Sequence, residues 1–127
     1  MHQIIETNQA PLPIGPYSQA IMAGKLLFIS GQIPLCPETG DLAGSDLAAQ
    51  TGQVLRNLQA VLDEAGCTVS QIVKTTVFMT DLREFSVFNQ IYAAWLGTHC
   101  PARSTIQVSA LPKDAKIEIE AIVVKEN

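Results

Sequence analysis

Two stretches of this chain repeat their apolar residues every three or four positions, and nothing else in it restricts the fold so tightly. In the first, Leu47, Thr51, Val54, Leu55, Leu58, Val61, Leu62 and Ala65 recur at the spacing of one helical face. Ser45 or Asp46 can cap its start, and Gly66 stands where a helix closes in the left-handed conformation. In the second, Leu82, Phe85, Phe88, Asn89, Tyr92, Trp95 and Leu96 line one side, Asp81 to Glu84 has the spacing of a capping box, and Gly97 ends it. Each stripe must be buried, and the intervening segments are strand-like. Residues 17–22 and 26–30 are short apolar runs around Ala23-Gly24-Lys25, the pattern of a hairpin. Residues 72–79 are rich in β-branched types, and 103–109 and 116–124 read as two more strands joined by 110–115. The order is ββαβαββ. Two helices that each need one side of a sheet predict a two-layer α+β sandwich with both helices on the same face.

The chain of 127 residues has 47% hydrophobic and 16% charged residues, enough to bury a core as a single domain over 1–127. Residues 10–16 hold three prolines and a glycine and should run extended. Only the first few residues and Lys125-Glu126-Asn127 are expected to be loose. A net charge of −4 without any run of like charge argues against a nucleic-acid backbone as partner. The start shows neither a basic and apolar leader nor an arginine-rich transit pattern, so a cytoplasmic location is expected. No apolar run approaches the roughly 20 residues that cross a bilayer. Three widely spaced cysteines, Cys36, Cys67 and Cys100, fit three free thiols. A domain this small with a mean hydropathy of +0.21 leaves apolar surface that favours self-association.

In the last strand Ile117, Ile119, Ala121 and Val123 alternate toward the helices, while Glu118, Glu120, Ile122 and Val124 take the other face. If 110–115 closes a hairpin symmetrically, position 107 lies opposite 118 and 103 opposite 122. Arg103, Thr105 and Gln107 then share a face with the two glutamates. The commoner meaning of such a pair is an ordinary cross-strand ion pair, worth about 0–1 kcal/mol when exposed. The functional one is a guanidinium fork that holds a small carboxylate while a glutamate handles water, a hydrolytic site without a metal. His2 and His99 lack partners at metal or catalytic spacing, and no GxSxG, GxGxxG or phosphate-loop pattern occurs. Ser30 and Gly31 read as a strand end with a bend, or as backbone N–H groups lining a pocket. Phe85 and Tyr92 read as helix core, Tyr17 as a packed ring, and Asn89 as a polar group in need of a partner.

Several segments carry a family likeness: 14–20 (Ile-Gly-Pro-Tyr-Ser-Gln-Ala), 30–34 (Ser-Gly-Gln-Ile-Pro), Asn57-Leu58, 73–78 (Val-Lys-Thr-Thr-Val-Phe), Phe85 with Asn89 and Tyr92, 101–104 (Pro-Ala-Arg-Ser) and 111–121 (Leu-Pro-Lys-Asp-Ala-Lys-Ile-Glu-Ile-Glu-Ala). The chain closely resembles the RidA (YjgF-like) reactive intermediate deaminases. The resemblance implies a chorismate-mutase-like fold, a homotrimer with clefts between subunits, and hydrolysis of 2-aminoacrylate-type enamines and imines to a 2-keto acid and ammonia without a cofactor. Those intermediates come from pyridoxal-phosphate-dependent dehydratases. It assigns the carboxylate clamp to Arg103, water activation to Glu118, and pocket positions to Tyr17, Ser30, Gly31, Phe85, Asn89 and Thr105. Thr105 stands where many bacterial relatives carry cysteine, and the 96–101 connection is shorter than in some. Rival expectations are a non-catalytic 2-keto-acid sensor and, with less support, a translation inhibitor or endoribonuclease.

Overall fold

The computed structural model describes residues 2–126. Its sheet contains β1 (His2–Ile5), β2 (Ala20–Ala23), β3 (Leu26–Gln32), β4 (Ile72–Met79), β5 (Ala102–Gln107) and β6 (Ile117–Val124). The spatial order is β1-β2-β3-β6-β4-β5, antiparallel throughout except for the parallel β4–β5 pair. Helices α1 (Leu47–Ala65) and α2 (Phe85–Leu96) pack on each other, and both lie on one face of the sheet. The expected two-layer α+β sandwich is therefore what forms. Asp46 caps α1 by accepting from the Ala49 N–H at 2.7 Å, and Gly66 closes it at φ +71° while Cys67 N–H donates to the Leu62 carbonyl. Asp81 also caps, but it accepts from Arg83 N–H and opens a single 3₁₀ turn over Leu82–Glu84 before α2 begins.

Leu27 and Ile29 of β3, Val77 and Met79 of β4, and Ile117, Ile119, Ala121 and Val123 of β6 all face α1 and α2 from within the core. The alternation read for the last strand holds residue by residue. Buried amides fasten the segments that prolines keep irregular. The Gln19 side chain accepts from Thr7 N–H at 2.7 Å and donates to the Thr7 and Pro11 carbonyls, and Asn57 donates to the carbonyls of Ile33 and Leu35. Cys36, Cys67 and Cys100 are free thiols. Among the described residues no helix is long and apolar enough to cross a membrane.

Two expectations are overturned. The N-terminal segment is not loose: His2–Ile5 is an edge strand paired with β2, which makes the order βββαβαββ. Lys125 N–H donates to the Lys25 carbonyl at 2.7 Å, so that residue is tied down as well, and Asn127 lies outside the described residues. Second, β5 and β6 are not a hairpin. β6 buries one whole face and takes the centre of the sheet between β3 and β4. β5, which offers the helix side only the polar Arg103, Thr105 and Gln107 and has no fully buried residue, goes to the edge beyond β4. The connection crosses the end of β4, where Val108 N–H donates to the Met79 carbonyl and Thr80 N–H to the Lys116 carbonyl. It reverses direction through a Pro112–Asp114 turn in which Lys113 and Asp114 adopt φ values of +61° and +60°.

Candidate active site

The strand order decides where the site residues go. Arg103 sits opposite Thr75 in the β4–β5 register, and Thr75 is fully buried with its hydroxyl 2.6 Å from the Tyr92 hydroxyl. Arg103 therefore projects on the helix-bearing face. Its guanidinium carbon lies 5.3 Å from the centre of the Phe85 ring, 5.4 Å from Phe88 and 5.3 Å from Tyr92, three rings spaced along one side of α2. Nη1 donates to Asn89 Oδ1 at 2.9 Å, which gives Asn89 the partner its place on an apolar stripe demands. Among the described residues the ion pair recorded is Arg83–Asp81, and no carboxylate is paired with Arg103. Two residue pairs further along, Thr105 lies beside Val77 on the same face, and its buried Oγ1 has no hydrogen-bond partner. Leu82, Phe85, Arg103 and Thr105 line a common cleft. A fixed cation with free donors next to an orphaned hydroxyl is a receptor for a small anion.

Glu118 stands opposite Phe78, on the face of the sheet that carries no helix. Between Ile29 and Gln32 the β3–β6 register slips, so that Ser30 and Gly31 together oppose Glu120, a bulge. The bulge brings Gly31 against the Glu118 side chain: a Cβ on Gly31 would lie 2.8 Å from the carboxyl carbon. Ser30 donates from Oγ to the Ser18 carbonyl at 2.6 Å and so braces the loop that carries Tyr17, whose hydroxyl accepts from Ile14 N–H at 3.3 Å. Tyr17, Ser30, Gly31, Pro112, Glu118 and Glu120 line a cleft of about 540 Å³. Partial burial, and then the neighbouring Glu120 charge, raise the Glu118 pKa above the usual carboxylate value.

All eight predicted site residues thus have a place in a cleft, but in two groups of four. Arg103, Thr105, Phe85 and Asn89 form one half-site on the helix face, while Glu118, Gly31, Ser30 and Tyr17 form another on the open face. Within one chain Arg103 and Glu118 do not share a face, which corrects both the hairpin register and the cross-strand ion pair built on it. Sequence reasoning gave Tyr92 to the core, and it is buried; it also forms part of the seat for Arg103. It did not find Phe88 in that seat, nor Pro112 in the glutamate cleft.

Two expected results follow locally. Gly31→Ala pushes the Glu118 carboxylate out of place, since the clash is with a side chain that can swing away. Any activity that uses the Glu118 carboxylate should fall at least ten-fold while the melting midpoint moves little, as read by kinetics and a thermal melt. The raised Glu118 pKa fixes the sign of a second effect. A carboxyl whose folded pKa exceeds its unfolded value adds stability below the unfolded pKa and loses that contribution as pH rises through the folded one. Glu118→Gln should therefore melt above the wild type at pH 7, with the gain vanishing as the pH falls toward 4.

Residues 7–125 match the family described as Endoribonuclease L-PSP. The RutC family protein PH0854 of Pyrococcus horikoshii is 50% identical over 126 residues, which cover 99% of this chain and 100% of that one. The crystal structure of a conserved Rid family protein, YyfA of Yersinia pestis, superposes with a TM-score of 0.95 at 52% identity, covering 98% of this chain and 99% of that one. Escherichia coli TdcF, named a "putative reactive intermediate deaminase", has a structure with bound serine that superposes with a TM-score of 0.93 at 46% identity, covering 98% and 99%. Likeness at this level over nearly every residue, in a chain with seven of its eight site residues in the segments that carried the resemblance, makes it a member of the RidA (YjgF-like) family.

Proposed function

We propose that this protein hydrolyses short 2-imino acids, 2-iminopropanoate (the tautomer of 2-aminoacrylate) and 2-iminobutanoate, to the 2-keto acid and ammonia. The observation that carries this reading is Arg103: a guanidinium held by three rings and one amide, with no carboxylate of its own. Such a fork presents donors preset for a substrate carboxylate, and charge-assisted bonds of this kind contribute about 1.5–3 kcal/mol each. The serine bound to TdcF is a carboxylate of the same size class.

The second half-site would come from another copy of the chain. Ile4, Leu26, Phe28 and Ile106 lie on the open face of the sheet, each 40% or more exposed, and a homotrimer with clefts between subunits would cover them and bring Glu118 to Arg103. Glu118 takes a proton from water as its oxygen bonds to the imine carbon and the C=N electron pair moves to nitrogen. Glu118 returns that proton to the nitrogen to give the carbinolamine, then takes the carbinol O–H proton and passes it to the amine, so that ammonia leaves as the C–N bond breaks and the oxygen's electron pair forms the keto carbonyl. A carboxyl with a raised pKa suits this exchange of roles. Holding carboxylate and water together removes much of the entropic barrier. The product follows from the substrate with water as the only co-reactant. An RNA-directed role, which the family description carries, would need a basic track that a chain of net charge −4 does not offer.

The test couples a serine or threonine dehydratase, which releases the imine in situ, to detection of keto acid with and without this protein. Faster keto-acid release is expected. No acceleration by folded protein, together with a melting midpoint that rises on adding 2-ketobutyrate, would move the reading to a keto-acid sensor.

A further inference from the structure

Arg103 is held by α2 only as firmly as α2 is held by the sheet. Among the described residues two side-chain hydrogen bonds join that helix to a strand, Asn89 to Arg103 and Tyr92 to Thr75. The first runs through the arginine itself, so only the second fixes the helix independently of it. Thr75 lies on β4 between Arg103 on one side and Ala121 on the other, fully buried, and its hydroxyl oxygen is 2.6 Å from that of Tyr92. Among the described residues neither hydroxyl has another side-chain partner. Stability does not call for this pair. Valine and phenylalanine would fill the same space without a polar atom, and replacing both members of a buried hydrogen bond by apolar groups of their shape is nearly neutral. What the pair adds is direction. Ring contacts keep α2 from lifting away but let it slide along the sheet, whereas a short O–H···O bond pins one point of it. Phe88 stacks on the pinned Tyr92 with ring centres 5.0 Å apart, and Asn89 and Phe85 follow on the same side of the helix, about one and two turns back.

We propose that Thr75 and Tyr92 are positioning residues of the reaction: their hydroxyl pair anchors α2 to β4 beside Arg103 and so sets the direction in which the guanidinium presents the substrate. The proposal rests on the deaminase reading above and adds Thr75, which lines neither half-site cleft, to the residues on which turnover depends. A fork displaced by a fraction of an ångström still binds a carboxylate, but it offers the imine carbon to water at the wrong angle. The loss therefore falls on kcat rather than on KM.

The experiment measures kcat, KM and the melting midpoint of Thr75→Val, Tyr92→Phe, the double variant and Thr75→Ser. The imine is released in situ by the dehydratase, and turnover is read well below each midpoint. Each of Thr75→Val and Tyr92→Phe strands a buried hydroxyl and should melt about 5 °C or more below the wild type, whereas the double variant strands none and should melt close to it. All three lack the anchor, so kcat should be lower by about ten-fold in each, the double variant included, with KM changed by no more than about three-fold. Thr75→Ser keeps the hydroxyl and should keep kcat within about two-fold of the wild type. A merely structural pair predicts instead that kcat recovers together with stability. Wild-type kcat in the double variant would overturn the proposal, as would a loss confined to KM or a Thr75→Ser variant as slow as Thr75→Val. If the folded wild type does not accelerate keto-acid release, the deaminase reading itself falls and takes this one with it.

Discussion

Replacing Arg103 with alanine should lower kcat/KM on a short 2-imino acid by about 10²- to 10⁴-fold while the melting midpoint drops by only about 5 °C. The activity figure follows from losing two charge-assisted bonds to the carboxylate. Those bonds form with the bound substrate as well as with the transition state, so much of the loss should appear in KM, with a smaller fall in kcat from poorer orientation. The small stability change follows from what Arg103 lacks. It has no carboxylate partner, so its removal strands no buried charge; what is lost is ring contact with Phe85, Phe88 and Tyr92 and one bond to Asn89. Arg103→Lys should recover little, since an ammonium neither forks around a carboxylate nor lies flat between rings. Steady-state kinetics and a thermal melt read both halves. A variant that keeps wild-type kcat/KM would remove the clamp, and one that unfolds would make Arg103 a structural residue.

The helices were legible because their information is local. Periodicity, Asp46 and Gly66 lie within the segment they describe, and the structure reproduces each. Strand β1 was not legible, since of its four residues only Ile5 is buried and its partner lies beyond the proline segment that Gln19 ties down. The order of β5 and β6 was hidden for a related reason. Which strand sits at the centre depends on how much apolar surface each must bury relative to the others, and the reversal that separates them uses Lys113 and Asp114 in a left-handed turn that glycine would ordinarily mark. The identities of the site residues came through the resemblance, for the eight are all exposed or half-buried and no burial pattern marks them. Their division between faces could not, because the face a strand residue takes relative to another strand is a property of the sheet. Phe88 and Tyr92 show the same limit: an aromatic stripe on a helix reads as core, and only Arg103 arriving from β5 makes it a seat for a cation.

That division gives the most decisive expected result for the assembled protein. In the proposed ring of three copies, each cleft would take Arg103 from one chain and Glu118 from its neighbour, because within one chain the two lie on opposite faces of the sheet. Arg103→Ala and Glu118→Ala chains should each be inactive alone. When the two are unfolded together in equal amounts and refolded, a cleft becomes complete if the chain supplying arginine carries the glutamate substitution and the chain supplying glutamate carries the arginine one. Each condition holds half the time, so about one quarter of all clefts, and about one quarter of wild-type activity, should return. Mixing the two folded variants without unfolding should give nothing until subunits exchange, which separates regained clefts from residual activity. If Arg103 and Glu118 instead met within one chain, every mixed assembly would stay inactive at any ratio. A return of activity that follows the product of the two chain fractions, with its maximum at equal amounts, is the signature of a cleft shared between neighbours.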